Sequence, residues 1–168
     1  MFECMKKIFT PFLFIVATLL LCSTTVKGEG GTTDDGLSWD LTNGVLTISG
    51  TGAMRDYATY GGVKSPWYTS KESVTKIIVN EGVTALGAYA FYSSINCTEI
   101  SLPSTLTDIK TYALSNCSTV TKITCKASTP PTLPAAAYDK TYRCFQNVPT
   151  NCPIYVPKQS VNTYKATA

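Results

Sequence analysis

The sequence contains no histidine, and only 15% of its residues carry charge. Both shortages exclude chemistry. Without imidazole, a serine or cysteine nucleophile has only lysine or a terminal amine as its base, and zinc is left with an all-cysteine site. No Cys-x-x-Cys occurs, so that spacing is wrong as well. The formal net charge is +3, and Lys6, Lys7 and Lys27 fall in the first 28 residues. Beyond that point no basic block remains, which argues against nucleic acid and against an electrostatic hold on anionic membrane.

Long apolar runs are scarce too, except at the start. Lys6-Lys7 precedes an apolar stretch from Ile8 to Leu21, interrupted by Thr10, Pro11 and Thr18. It is shorter than the ~20 residues of a bilayer-spanning helix. Val26-Lys27-Gly28 then offers a cleavage position before Glu29. These parts predict a secretory signal peptide over 1–28 and an extracellular or cell-surface protein, with no transmembrane span after cleavage. A lipoprotein anchored at Cys22 is the rival, weakened by Leu19-Leu20-Leu21, which lacks the small residues expected before a lipidated cysteine. Residues 29–36 are rich in glycine and threonine and read as a flexible leader.

Five cysteines follow: Cys97, Cys117, Cys125, Cys144 and Cys152. Export permits disulfides, but an odd number leaves one thiol over. Cys97, Cys117 and Cys125 fall at positions expected to point inward, as small inert hydrophobes. Cys125, Cys144 and Cys152 are the candidates for oxidation, as Cys144–Cys152 or Cys125–Cys152. Spacing alone does not choose between the pairs.

What the chain has in abundance is itself. At an offset of 23 residues, Ile77, Ile100 and Ile123 coincide, as do Val79, Leu102 and Cys125, and Thr75, Thr98 and Thr121. Tyr89-Ala90-Phe91 matches Tyr112-Ala113-Leu114, and Ile154 with Val156 resumes the pattern after an insertion. A period of this length predicts stacked units, none of which buries enough apolar surface alone. Each begins with period-two alternation, a strand, then a turn at Asn80-Glu81-Gly82 or Pro103-Ser104. Leu86, Ala90 and Phe91 then fit one side of a helical turn or two. Ahead of the repeats, Trp39–Leu41 and Val45–Ile48 alternate around Asn43-Gly44, a hairpin-turn signal. Trp39, Leu41, Leu46 and Ile48 would seal the stack, with Trp67 under the first repeat.

The stretch GAYAFYSSINCTEISLPSTLTDIKTYALSNCSTVTKI resembles the BspA-like leucine-rich repeats of anaerobic bacterial surface proteins. WDLTNGVLTISGTGAMRDY with SPWYTSKESV is similar to the cap that precedes such repeats. The ending ITCKASTPPTL through CFQNVPTNCPIYVPKQSVNTYK is similar to their final units. The likeness covers Leu37 to Lys165. It implies an α/β leucine-rich-repeat solenoid of ~23-residue strand-turn-helix units, with a β-hairpin cap over 37–73. Repeats then fill 74–168, with an insertion and a final strand near the C-terminus. The stiff Thr129–Ala135 stretch, with three prolines, would replace part of a repeat.

Catalytic arrangements find little footing. Asp34, Asp35, Asp40, Asp56, Glu99 and Asp108 include no pair that the sequence places in one apolar cleft. Ser73-Val74-Thr75-Lys76 has the Ser-x-x-Lys spacing but opens a strand, where residues three apart face opposite ways. No cofactor or metal is expected, and the protein reads as a non-enzyme. The candidate site is a surface: Lys76, Ile78, Glu99, Ser101, Lys122, Thr124, Lys126 and Tyr155, between the inward positions of successive strands. The resemblance implies adhesion to a host or microbial surface protein. Two other readings stay open. Tyr57, Tyr60, Trp67 and Tyr68 would support glycan binding if they formed an exposed platform, and the charges would merely solubilise a structural spacer.

Overall fold

The computed structural model describes residues 28–134 and 144–166. The signal-peptide reading, its lipoprotein rival at Cys22 and Ala135 of the proline-rich stretch therefore lie outside the described residues.

The first unit is a three-stranded antiparallel meander. Strands β2 (Ser38–Thr42) and β3 (Val45–Ser49) form the hairpin expected at Asn43-Gly44. Both turn residues have positive φ, 51° and 78°, the type I′ geometry whose twist matches the flanking strands. Strand β1 (Glu29–Thr32) pairs with β2, Glu29 opposite Leu41. That corrects the flexible leader read over 29–36. Its four strand residues are exposed, so composition gives no apolar signal, yet the open backbone edge of β2 supplies hydrogen-bond partners. The turn that follows is also held. Asp35 accepts from the Thr33 hydroxyl and the Arg55 amide, while Asp34 pairs with the Arg55 guanidinium.

From β3 onward the sheet is parallel. Strand β5 (Lys76–Val79) pairs with β3, then β7 (Glu99–Leu102), β9 (Lys122–Cys125) and β10 (Ile154–Tyr155) follow. The seven-stranded sheet runs β1-β2-β3-β5-β7-β9-β10. Ile77, Ile100 and Ile123 lie opposite one another, so the 23-residue offset in sequence is the lateral step from strand to strand. A second, three-stranded parallel sheet contains β4 (Gly52–Ala53), β6 (Val83–Leu86) and β8 (Asp108–Ile109). Beyond β8, Thr132 of the proline-rich stretch forms a parallel bridge to Asp108, holding the next lateral position of that sheet.

The core lies between the two sheets. Ile77, Ile100, Ile123, Val79 and Leu102 contribute from one side, and Val83, Leu86, Leu106, Phe91 and Leu114 from the other, all buried. Each such side chain contributes ~1.5–3 kcal/mol of apolar burial. Trp67, 1% exposed, sits beneath the first repeat. It stacks on Phe91 at 5.7 Å and donates its indole N–H to the Ala90 carbonyl at 2.8 Å.

The expected strand-turn-helix unit needs correction. Leu86 ends a strand, and residues 87–98 are turns joined by irregular backbone. A 3-10 helix at Tyr68–Ser73, another at Lys158–Ser160 and α1 (Val161–Ala166) are the helices among the described residues. The destinations of the backbone hydrogen bonds explain the difference. Tyr89, Phe91 and Ser93 donate to the carbonyls of Thr111, Ala113 and Ser115 in the next unit. A helix would direct those groups along its own axis. The alternating direction requires left-handed backbone at Tyr89 and Tyr112, φ 55° and 58°, and again at Ser93, Asn116 and Asn147.

Threonine and asparagine side chains reinforce the stacking. The hydroxyls of Thr98 and Thr121 each donate to the carbonyl of the threonine one unit earlier, at 3.2 Å. Asn147 donates to Asn116 at 2.6 Å, and Asn116 to Ser93 at 3.4 Å. Such bonds are worth about 0.5–1.5 kcal/mol net each.

Candidate functional site on the outer face of the larger sheet

Because side chains alternate across a strand, every strand that buries an isoleucine presents its neighbours on the opposite face. The parallel register aligns those neighbours into rows. One row runs Val45, Lys76, Glu99, Lys122, and the other runs Thr47, Ile78, Ser101, Thr124, Tyr155. Seven of the eight sequence-predicted face residues therefore lie together. The eighth, Lys126, stands just beyond β9 and pairs with Glu81 at 3.8 Å. Sequence reasoning missed Val45 and Thr47, which join through the parallel pairing of the cap hairpin with the first repeat. Their spacing to Lys76 and Ile78 is not the 23-residue period, although the alternation Val45-Leu46-Thr47-Ile48 was a visible signal.

Within the charged row, Glu99 accepts from Lys76 at 2.8 Å and reaches Lys122 at 3.8 Å. The hydrogen bond and charge of Lys76, followed by the charge of Lys122, hold the Glu99 carboxyl below its ordinary range. All three side chains remain well exposed, so solvent screens the pairs and their contribution to stability is small. Lys122 also lies over the Tyr155 ring, 5.8 Å from its centroid. Tyr155 and Ile154 are 54% and 51% exposed at the sheet margin. Lys76, Glu99, Ser101, Lys122 and Thr124 line a shallow, polar depression of about 140 Å³. That is smaller than the ~300 Å³ at which small-molecule sites begin.

The aromatic platform does not assemble. Trp67 and Tyr57 are buried, their rings 5.7 Å apart edge to face. The core below the cap demands apolar bulk, and these rings supply it. Tyr60 is 95% exposed, and Tyr68 lies under two ammonium groups, Lys64 at 4.1 Å and Lys71 at 4.0 Å.

All five described cysteines are free, Cys125, Cys144 and Cys152 among them. Cys125 contacts the Tyr164 hydroxyl at 3.2 Å, Cys144 points to the Ile109 carbonyl at 3.6 Å, and Cys152 lies against the Pro153 carbonyl. Burial pushes the Cys97 and Cys144 thiols up to about 11, and Cys117 to about 12.

The carboxylates hold turns. Asp56 accepts from the Ala88 amide at 2.8 Å and Glu81 from the Ser104 amide at 2.9 Å. In Asp35 the largest single influence is burial, which raises the pKa. The bonds from Thr33 and from the Arg55 backbone outweigh it, and the carboxyl sits below its usual value. Ser73 and Lys76 do not meet, since the Ser73 hydroxyl donates to the Ser70 carbonyl while Lys76 pairs with Glu99. Among the described residues no cluster of potential metal ligands occurs, and no helix is long and apolar enough to cross a membrane.

Residues 63–162 match the family model described as a BspA type leucine rich repeat region, in six copies. A leucine-rich repeat protein from Eubacterium ventriosum has a similar fold. That comparison gives a TM-score of 0.52 at 22% identity, covering 79% of this chain and 45% of the other. The leucine rich repeat protein of T. pallidum aligns with a TM-score of 0.41 at 16% identity, covering 77% of this chain and 61% of that one. This chain thus spans less than two thirds of either relative. A comparison with curated proteins returns no match.

Proposed function

The chain belongs to the BspA type leucine rich repeat family, and from that premise we propose that it is a secreted or cell-surface module that binds another protein non-covalently. The site is the outer face of the seven-stranded sheet, on one curved solenoid of stacked units. Its partner is a host or microbial surface protein, and its role is adhesion without catalysis.

One observation carries the reading. A mixed row of Thr47, Ile78, Ser101, Thr124 and Tyr155 lies beside a charged row, with half-buried Ile78 within it and the exposed ring of Tyr155 at its end. Polar groups with exposed apolar and aromatic anchors suit a protein partner, while a depression this small does not suit a cofactor. The ion-paired Lys76–Glu99–Lys122 ladder favours the alternative of a structural spacer whose charges only solubilise the face. Glycan binding loses support with Tyr57 and Trp67 in the core.

A binding screen of the folded chain against immobilised matrix proteins and a glycan panel tests this, alongside a Lys76/Lys122/Lys126→Glu variant. Saturable protein binding that the variant loses is the expected result. Binding that survives the variant would move the site elsewhere. No binding from a folded sample would favour the spacer.

A further inference from the structure

We infer that the depression between β5, β7 and β9 is the receptor for one carboxylate side chain, supplied by an extended acidic segment of the partner protein. This rests on the protein-binding reading above and specifies the partner's chemistry.

The first ground is how the hydroxyls are used. In this fold threonine hydroxyls on the unit boundaries are engaged: those of Thr98, Thr121, Thr107 and Thr119 donate to main-chain carbonyls of a neighbouring unit. Ser101 and Thr124 differ. They lie opposite each other on β7 and β9 and line the depression, and their hydroxyls make no hydrogen bond among the described residues. Two adjacent hydroxyls thus stand ready to donate to one incoming acceptor.

The second ground is charge. Lys76 and Lys122 flank a single carboxylate, and Glu99 favours Lys76, 2.8 Å against 3.8 Å. Lys122 keeps most of its hydrogen-bonding capacity, and the row carries an excess of positive charge. A second carboxylate beside Lys122, Ser101 and Thr124 would complete an alternating arrangement, and charge-assisted bonds of that kind are the stronger ones.

The third ground is spacing. Ile78 lies one strand to one side of Ser101, and Tyr155 one strand to the other side of Thr124. Three inter-strand steps of ~4.8 Å separate Ile78 from Tyr155. An extended segment crossing the strands advances ~3.4 Å per residue and presents every second side chain to the sheet. The fitting pattern is an apolar residue, a spacer, Asp or Glu, a spacer and an apolar or aromatic residue.

The experiment is selection of a random linear peptide library, displayed on phage, against the full chain. Binding of the recovered peptides, and of soluble polygalacturonate, is then measured to the native chain, to Lys122→Gln, to Ser101→Ala/Thr124→Ala and to Ile78→Ser/Tyr155→Ser, all four being checked for native circular dichroism. The expected peptides carry Asp or Glu two positions from an apolar or aromatic residue. Binding falls about tenfold in Lys122→Gln, and similarly when the peptide's acid is changed to its amide. Recovered peptides that lack an acid yet lose binding on substitution of Ile78 and Tyr155 would overturn the carboxylate receptor and leave the protein-binding face standing. Polygalacturonate captured in place of any peptide would overturn the partner class. Peptides indifferent to every substitution on the face, or no enrichment at all, would overturn both readings.

Discussion

Replacing Trp67 with alanine should destabilise the protein more than any change on its surface. The indole is 1% exposed and lies 5.7 Å from Phe91, 5.7 Å from Tyr57 and 6.0 Å from Trp39. It joins the cap meander to the first full repeat. Truncation removes the whole ring and leaves a cavity, a change that costs ~3–5 kcal/mol in other cores. It also strips the Ala90 carbonyl of its 2.8 Å donor, and an orphaned buried acceptor costs ~1–3 kcal/mol. The two overlap, so about 4 kcal/mol is expected, equivalent to a Tm lower by roughly 12 °C at this chain length. Trp67→Phe keeps a ring against Phe91 and loses the N–H bond with part of the area, for about 1–2 kcal/mol. Urea denaturation followed by far-ultraviolet circular dichroism measures both. A loss below ~1 kcal/mol for Trp67→Ala, or equal losses for the two variants, would refute the claim that one core spans cap and repeats.

Three further outcomes follow from other parts of the structure. A Cβ at Gly87 would lie 1.7 Å from the Arg55 carbonyl oxygen, so Gly87→Ala must force backbone apart and should cost about 1–3 kcal/mol by denaturation. Labelling the native protein with a thiol reagent at pH 8 should modify half-buried Cys152 first and Cys117 last, whereas the unfolded chain should label without order; early Cys117 labelling would contradict its buried position. Asp35 and Glu99 have depressed carboxyl pKa values when folded. Their stabilisation is therefore present above the ordinary carboxylate range and lost as pH falls through the folded values. Asp35→Asn should flatten the decline in Tm below pH 4, and an unchanged slope would count against the Thr33–Asp35–Arg55 turn.

The stacking was legible because its signal is chemical identity at a fixed step: Ile77, Ile100 and Ile123 are the same residue doing the same work. Most of the candidate face was legible for the same reason, since once the inward set is known its neighbours must face out. The helical stretch was not. Leu86, Ala90 and Phe91 have spacings that suit a helix or a chain of turns equally well, and the choice is made by left-handed backbone at Tyr89 and Ser93. Tyrosine carries no preference for that conformation; the neighbouring unit's carbonyls impose it. Strand β1 was hidden likewise, because its stabilisation comes from the edge of β2 and not from its own residues.

The strict lateral register has a consequence for how such a chain can change length. Removing residues 76–98 would set Glu99 where Lys76 was, with isoleucine following isoleucine and threonine bonded to threonine across the seam. Removing a single strand residue instead would turn the inward set of that strand toward water. Length is therefore available only in whole units, each adding one strand width of ~4.8 Å and two new side chains to the outer face. Reach and chemistry of that face can be lengthened or rewritten by duplicating units, while the core that supports it is copied unchanged.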